Sequence, residues 1–234
     1  MVNDEDIVGA RRAVPLMTST TEPDKSIPLR LRLRVPAEAV VIFSPLLQAG
    51  FFVTARTGCS VKTLLCSQFG IDEEYVTRRI TTMFLDSRPV DKMESTLVRD
   101  GATLALSCAM PGLVGATLRR GGFYAAFREG ISCREESGEI RAGIGSVRIK
   151  LFNLLMGELG PLFLGRGITV GASALAELLQ KSDEKFRSSC YDVTADAAPT
   201  NMALLQEGAP FLHRENVRLT VLFDPPNELP EDDL

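Results

Sequence analysis

GCSVKTLLCSQFGIDEEYVTRRITTMFLDSRPVDKMESTLVRDGATLALSCAMPGLVG, residues Gly58 to Gly115, changes its hydrophobic period in an order that decides the fold. Ser60 suits the N-cap of a helix in which Val61, Leu64, Leu65 and Phe69 share a face, and Gly70 suits its left-handed stop. Asp72 can start a further short turn through Glu73, Glu74 and Tyr75. The period then shortens. ITTMFLDSRPV reads as a strand followed by a turn over Asp86 to Pro89, and Asp100-Gly101 marks a tight turn before a second strand. There Ala102, Leu104, Leu106 and Cys108 alternate with Thr103, Ala105 and Ser107, which expects Cys108 on a buried face.

Upstream, IPLRLRLRV places Ile27, Leu29, Leu31, Leu33 and Val35 on one side of an extended chain and Arg30, Arg32 and Arg34 on the other. AEAVVIFSPLLQAG is a mixed segment broken at Pro45, and FFVTARTG reads as a second strand ending at Gly58. Strand, strand, helix, strand, strand is an α+β order, that of a sheet gripping one helix. Residues 58–115 resemble the ubiquitin-like sulfur carriers of thiamine and molybdopterin biosynthesis. In these, an S-V-x-x-L-L helix leads to a strand with a P-V turn, then to D-G-x-x-L-A-L and a Pro/Gly-rich end. Asp86-Ser87 departs from the Asn-Gly often found at that turn.

The resemblance implies a β-grasp (ubiquitin-like) fold whose sheet docks other proteins. In those carriers the last glycine carboxylate is adenylated and then converted to a thiocarboxylate, so a free C-terminus is required. Here Pro111-Gly112-Leu113-Val114-Gly115 lies inside the chain. Gly121-Gly122, after Leu118-Arg119-Arg120, would carry a carboxylate only if the chain were cut after Gly122. The expectation is an internal remnant of a carrier tail, the alternative being a carrier or modifier released by that cut. Adjacent glycines also serve ordinary tight turns.

The second half echoes the first. SVRIKLFN alternates, with Val147, Ile149 and Leu151 opposite Arg148 and Lys150; GPLFLGRGITV compares with SPLLQAGFFV, and GASALAELL, with Ser173 as N-cap, compares with GCSVKTLL. RENVRLTVLFDPP likewise compares with RDGATLALSCAMP. This organisation reads as an N-terminal arm over 1–26, a β-grasp-like domain over 27–130 and a second α+β unit over 131–234. That second unit is either a divergent repeat or an extension of the first sheet.

Bulk properties bound the function. The net charge is −4, which argues against non-specific nucleic-acid binding. Five cysteines (59, 66, 108, 133, 190) without C-x-x-C spacing fit neither a disulfide framework nor a zinc knuckle. The apolar stretch 37–53 is broken by Glu38, Pro45 and Gln48, short of the roughly 18 residues of a membrane span, and MVNDEDIVGARRA lacks the apolar core of a secretion signal. A cytoplasmic protein is expected. Neither GGFYAAFREG nor GEIRAGIGSV supplies a phosphate-binding motif, and no cofactor or metal is expected.

His213 is the single histidine, so a thiol enzyme would have to pair it with Cys59, Cys66 or Cys190. Cys59 precedes a helix N-cap, where the dipole favours a thiolate. The arginine stripe Arg30, Arg32, Arg34 either meets an acidic partner or guards a solvated face or exposed edge. With Met110, Pro111, Gly112, Arg119 and Arg120 it forms the candidate partner-binding set, and Gly121-Gly122 is the candidate processing site. The sequence favours a non-catalytic binding or assembly protein that docks a protein partner or a second copy by β-augmentation, with the Cys59–His213 enzyme as a further alternative.

Overall fold

The alternating strands read from the sequence are built as expected, but their neighbours are not the ones that chain order suggests. A computed structural model describes residues 27–109, 112–120, 122 and 142–225. In chain order it contains β1 (Leu29–Val35), α1 (Ser44–Ala49), β2 (Phe51–Thr57), a π-helical segment (Thr63–Gln68), α2 (Glu73–Arg78), β3 (Thr82–Leu85), β4 (Arg88–Pro89), β5 (Thr103–Ser107) and α3 (Gly112–Leu118). There follow β6 (Gly143–Phe152), α4 (Leu155–Arg166), β7 (Ile168–Gly171), α5 (Ala172–Lys181), α6 (Glu184–Ser189), β8 (Tyr191–Ala195), β9 (Ala198–Pro199), α7 (Met202–Gln206) and β10 (Asn216–Phe223).

Local chemistry sets the element ends. The Ser60 hydroxyl accepts the Thr63 N–H at 3.1 Å, Gly70 turns the chain at φ +63°, and Asp72 caps α2 by accepting the Tyr75 N–H at 3.0 Å. Asp183 and Asn201 cap α6 and α7 in the same way. Ser173 does not cap: α5 begins at Ala172 with Gly171 before it, leaving Ser173 inside the helix.

All ten strands belong to one mixed sheet, ordered β4-β3-β5-β6-β2-β7-β10-β1-β8-β9. Read inward from either edge, the two five-strand halves carry the same pattern. β4-β3-β5-β6-β2 pairs antiparallel, antiparallel, parallel, antiparallel, and so does β9-β8-β1-β10-β7. The halves meet at a single antiparallel pairing, Phe52 with Thr169, which gives the sheet a local two-fold axis. Hairpin details repeat as well. Asp86-Ser87 and Asp196-Ala197 both turn at positive φ, and each Asp carboxylate accepts an N–H at the start of the adjoining strand, from Thr103 at 2.8 Å and from Arg30 at 2.9 Å.

These equivalences show that the halves of the sheet are not the halves of the chain. β1 and β2 do not pair; β6 lies between β5 and β2, and β1 lies between β10 and β8. In space β1 therefore matches β5, and β10 matches β6, although the sequence echoes suggest β1 with β6 and β10 with β5. Each half of the sheet takes an inner strand from the other half of the chain.

α1, α4 and α5 pack on one face. Leu31, Leu33, Val53, Leu104, Ile149, Leu219 and Val221 turn toward them and are buried. Phe163 of α4 lies at the centre, its ring 5.2 Å from those of both Phe51 and Phe69, so one aromatic from the second half of the chain anchors two from the first. Such an interior supplies the main drive for folding. Glu158 of α4 also reaches α2: it accepts the Tyr75 hydroxyl at 2.5 Å and pairs with Arg79. Arg79, then the Tyr75 hydrogen bond, pulls the Glu158 carboxyl below its ordinary range.

Two outcomes follow from this layout. A chain cut at a protease site introduced between residues 130 and 131 stays one particle by size exclusion and separates only in denaturant, whereas residues 1–122 expressed alone do not fold, because β2 and β5 lose the strand between them. For Glu158 the sign follows from a depressed native value: its contribution is present above the ordinary glutamate range and is lost as pH falls through the lowered one. Glu158→Gln accordingly lowers the melting temperature at neutral pH, and the gap from wild type closes as pH falls below the ordinary glutamate range.

Candidate functional site

The side of the sheet opposite the helices carries Arg30, Arg32 and Arg34 on β1, Arg218 on β10, Arg56 on β2, and Arg148 and Lys150 on β6. Strand register aligns them. One rung runs Thr103, Arg148, Phe52, Thr169, Arg218, Arg30, with neighbouring strands about 4.8 Å apart. The face is cationic in a chain of net charge −4, so the rest of the molecule is the more acidic.

Arg148 and Arg218 are two-fold mates built by the same device. Gly50 and Gly167 follow the last turns of α1 and α4 at φ +106° and +87°, and each arginine lies across one of them. A Cβ on Gly50 would come within 2.7 Å of Arg148 Nε, and one on Gly167 within 2.9 Å of Arg218 Nε. Arg148 donates to the Ala49 carbonyl at 2.8 Å and Arg218 to the Arg166 carbonyl at 3.2 Å. Both acceptors are neutral, so the guanidiniums are held in place without losing their charge. Arg148 also stacks 5.7 Å from the centre of the exposed Phe52 ring.

On β1 the three arginines differ. Arg34 faces Asp192 at 3.7 Å and Asp224 at 4.0 Å and lies 5.9 Å from the Tyr191 ring centre. Arg30 and Arg32 are exposed, and their side chains have no hydrogen bond or ion pair among the described residues. A hollow of ≈ 390 Å³ beside them is lined by Arg32, Arg34, Asp192, Thr194, Pro199 and Leu222. A smaller one, ≈ 140 Å³, opens where β2 and β7 part, between Thr54, Gln68, Arg166 and Arg218. There the Gln68 side chain accepts the Arg56 N–H at 2.8 Å and donates to the Arg56 carbonyl at 2.9 Å, standing in for the missing strand.

The structure corrects part of the sequence reading of this stripe. β1 is an interior strand, so its arginines guard no edge. The real edges, β4 and β9, are two residues long and end in Pro89 and Pro199, which have no N–H to offer an added strand.

The other candidate residues lie elsewhere. Gly112–Leu118 is helical, not an extended tail. Arg119 is exposed, but Arg120 is half-buried: it donates to the Val76 and Thr77 carbonyls at 2.9 and 3.1 Å and touches the sulfurs of Met83 and Met93. Burial lowers its basicity, and it fastens the end of α2. The Gly122 N–H bonds to the Arg119 carbonyl at 3.1 Å, while Met110, Pro111 and Gly121 lie outside the described residues.

Cys59 and His213 are not brought together. Thr169 opposite Phe52 and Gly171 opposite Asn216 place His213 beyond the Phe51 end of β2, whereas Cys59 follows its Thr57 end, a strand length on the order of 20 Å away. His213 is exposed in a turn at φ +65°. Contrary to the dipole expectation, burial pushes the Cys59 thiol up, outweighing the Gln68 hydrogen bond; burial likewise raises Cys66, and takes Cys190 to about 11. Cys108 is only half-buried. Among the described residues no group of three or more His, Cys, Asp or Glu is placed to hold a metal, and no helix is long and apolar enough to cross a membrane.

No family model, curated protein or solved structure matches the chain.

The paired glycines are testable. Gly50→Ala and Gly167→Ala each cost about 2–3 kcal/mol in urea unfolding, since neither backbone conformation suits an L side chain. Placed in an Arg148→Ala background, Gly50→Ala costs less than in wild type, because the collision with Nε is gone.

Proposed function

We propose that this protein is a non-catalytic binding or assembly protein in which two ubiquitin-like, β-grasp-like halves share one sheet and offer its helix-free face to a protein partner. Each half presents the elements of a grasp: a parallel central pair, flanking antiparallel strands and a helix across the back. Strand exchange makes the two halves a single unit. The likeness of residues 58–115 to sulfur carriers supports common architecture with a different use, since the segment matching the reactive tail is coiled as α3 and followed by the fastened Arg120.

One observation carries the reading. At matched positions of the two-fold frame, Arg30, Arg32 and Arg34 of β1 stand where β5 has Thr103, Ala105 and Ser107. The same scaffold position is therefore filled without charge in one half and with three cations in the other. Folding explains the alternation but not the arginines, and like charges spaced two residues apart repel one another. A binding role accounts for them.

The test is site-directed photo-crosslinking in the native cell. A photoreactive residue at Thr54 or Thr220 on the open face gives discrete protein adducts, and one at Glu177 on α5 gives none. Adducts from Glu177 alone, or from no position, would count against the proposal.

A further inference from the structure

Resting on that reading, we infer that the partner presents an acidic segment, and that its carboxylates seat on Arg218, Arg30 and Arg32 across β10 and β1. Arg218 and Arg30 are side by side in register, and Arg32 is two residues further along β1, about 7 Å away. Carboxylates on alternate residues of an extended segment recur at that same spacing. Guanidiniums present paired N–H donors that match a carboxylate's two oxygens. Arg218 is already oriented by Gly167 and the Arg166 carbonyl, so docking it costs little side-chain freedom. The Arg30 and Arg32 side chains have no ion pair among the described residues, the Asp196 carboxylate beside Arg30 being taken up by the Arg30 N–H and by Arg214, whereas Arg34 next to them is engaged by Asp192 and Asp224.

Those same acids choose between two polyanions. Asp192 and Asp196 lie at the two ends of β8 and Asp224 just past the end of β10, so together they border the cationic strip; Asp196 already holds Arg214 at 3.2 Å. A nucleic-acid strand, charged at every residue, would run from the strip onto this acidic border and meet a molecule of net charge −4. A short acidic peptide ends where the strip ends. Thr220 stands opposite Arg32, and Thr169 flanks Arg218 on its other side; their hydroxyls add neutral donors for the same oxygens.

The experiment is fluorescence anisotropy on the full chain, with a labelled alternating Glu-Ala peptide of about a dozen residues and an oligouridine of equal length as probes, at about 50 mM salt where Coulomb steering is weakly screened. The peptide binds the wild type more tightly than the RNA does. Arg30→Thr with Arg32→Ala, which copies the residues of the matched strand β5 and so suits the fold, weakens the peptide about tenfold or more. Lys185→Ala on α6, away from the face, changes nothing. RNA binding equal to or tighter than peptide binding, unchanged affinity in the double variant, or no peptide binding at all would overturn the inference. Its failure remains separate from failure of the wider proposal: crosslinks from Thr54 with no affinity for the acidic peptide would leave a protein-binding face of another chemistry.

Discussion

The insertion of β6 between β5 and β2, matched by that of β1 between β10 and β8, is the constraint on which the other features depend. Both parallel pairs, β5 with β6 and β1 with β10, have antiparallel neighbours on their outer sides, so neither half of the sheet closes until strands far apart in the chain have met. Long-range parallel pairing is slow, because loop-closure entropy is lost before the contacts that compensate it form. Once formed, the arrangement ties the halves together more firmly than the single Phe52–Thr169 pairing at the seam could. Phe163, wedged against Phe51 and Phe69 beneath that seam, and Glu158, joined to α2, act in the same direction from the helical side.

With α1, α4 and α5 on one side, the other face of the sheet among the described residues has a composition set by something other than the core. Antiparallel and mixed sheets tolerate water there so long as polar residues alternate with apolar ones. Thr54, Ser146, Thr169 and Thr220 meet that requirement cheaply. Seven cations on the same face do not follow from it, least of all in an acidic chain. Blunt, proline-ended margins at β4 and β9 leave the edges little to offer an added strand.

Much of the local structure was legible in the sequence, and for physical reasons. Alternation fixed β1, β2 and β5, and Ser60, Gly70 and Asp72 marked helix ends through hydrogen bonds and backbone freedom available within a few residues. The Asp86 turn was visible too. The matching Asp196-Ala197 turn was not, since an alanine at φ +68° leaves no compositional trace. Neighbour identity escaped because alternation tells which side of a strand is buried but not which strand lies beside it. For that reason the sequence left open whether the β1 arginines meet an acidic partner or guard a solvated face or an exposed edge. The alternation of Arg148 with Val147 and Ile149 was plain, as was that of Arg30 with Leu29 and Leu31; that Arg148 and Arg218 occupy matched places on one surface required the register of three intervening pairings.

Internal symmetry then separates what the scaffold needs from what it carries. Features kept on both sides of the axis, such as Gly50 with Gly167, Arg148 with Arg218, and Asp86 with Asp196, each have a structural partner in hand: a crowded backbone, a helix-terminal carbonyl, a strand-initial N–H. Features that differ across the axis have no such duty, because the opposite half folds without them. Arg30, Arg32 and the exposed ring of Phe52 are of this second kind, replaced at their mates by Thr103, Ala105 and Thr169. On the proposed docking, an asymmetric strip on a symmetric frame would give a docked chain one orientation, and a segment across β10 and β1 would be distinguished from one across β6 and β5, although the backbone beneath the two is the same.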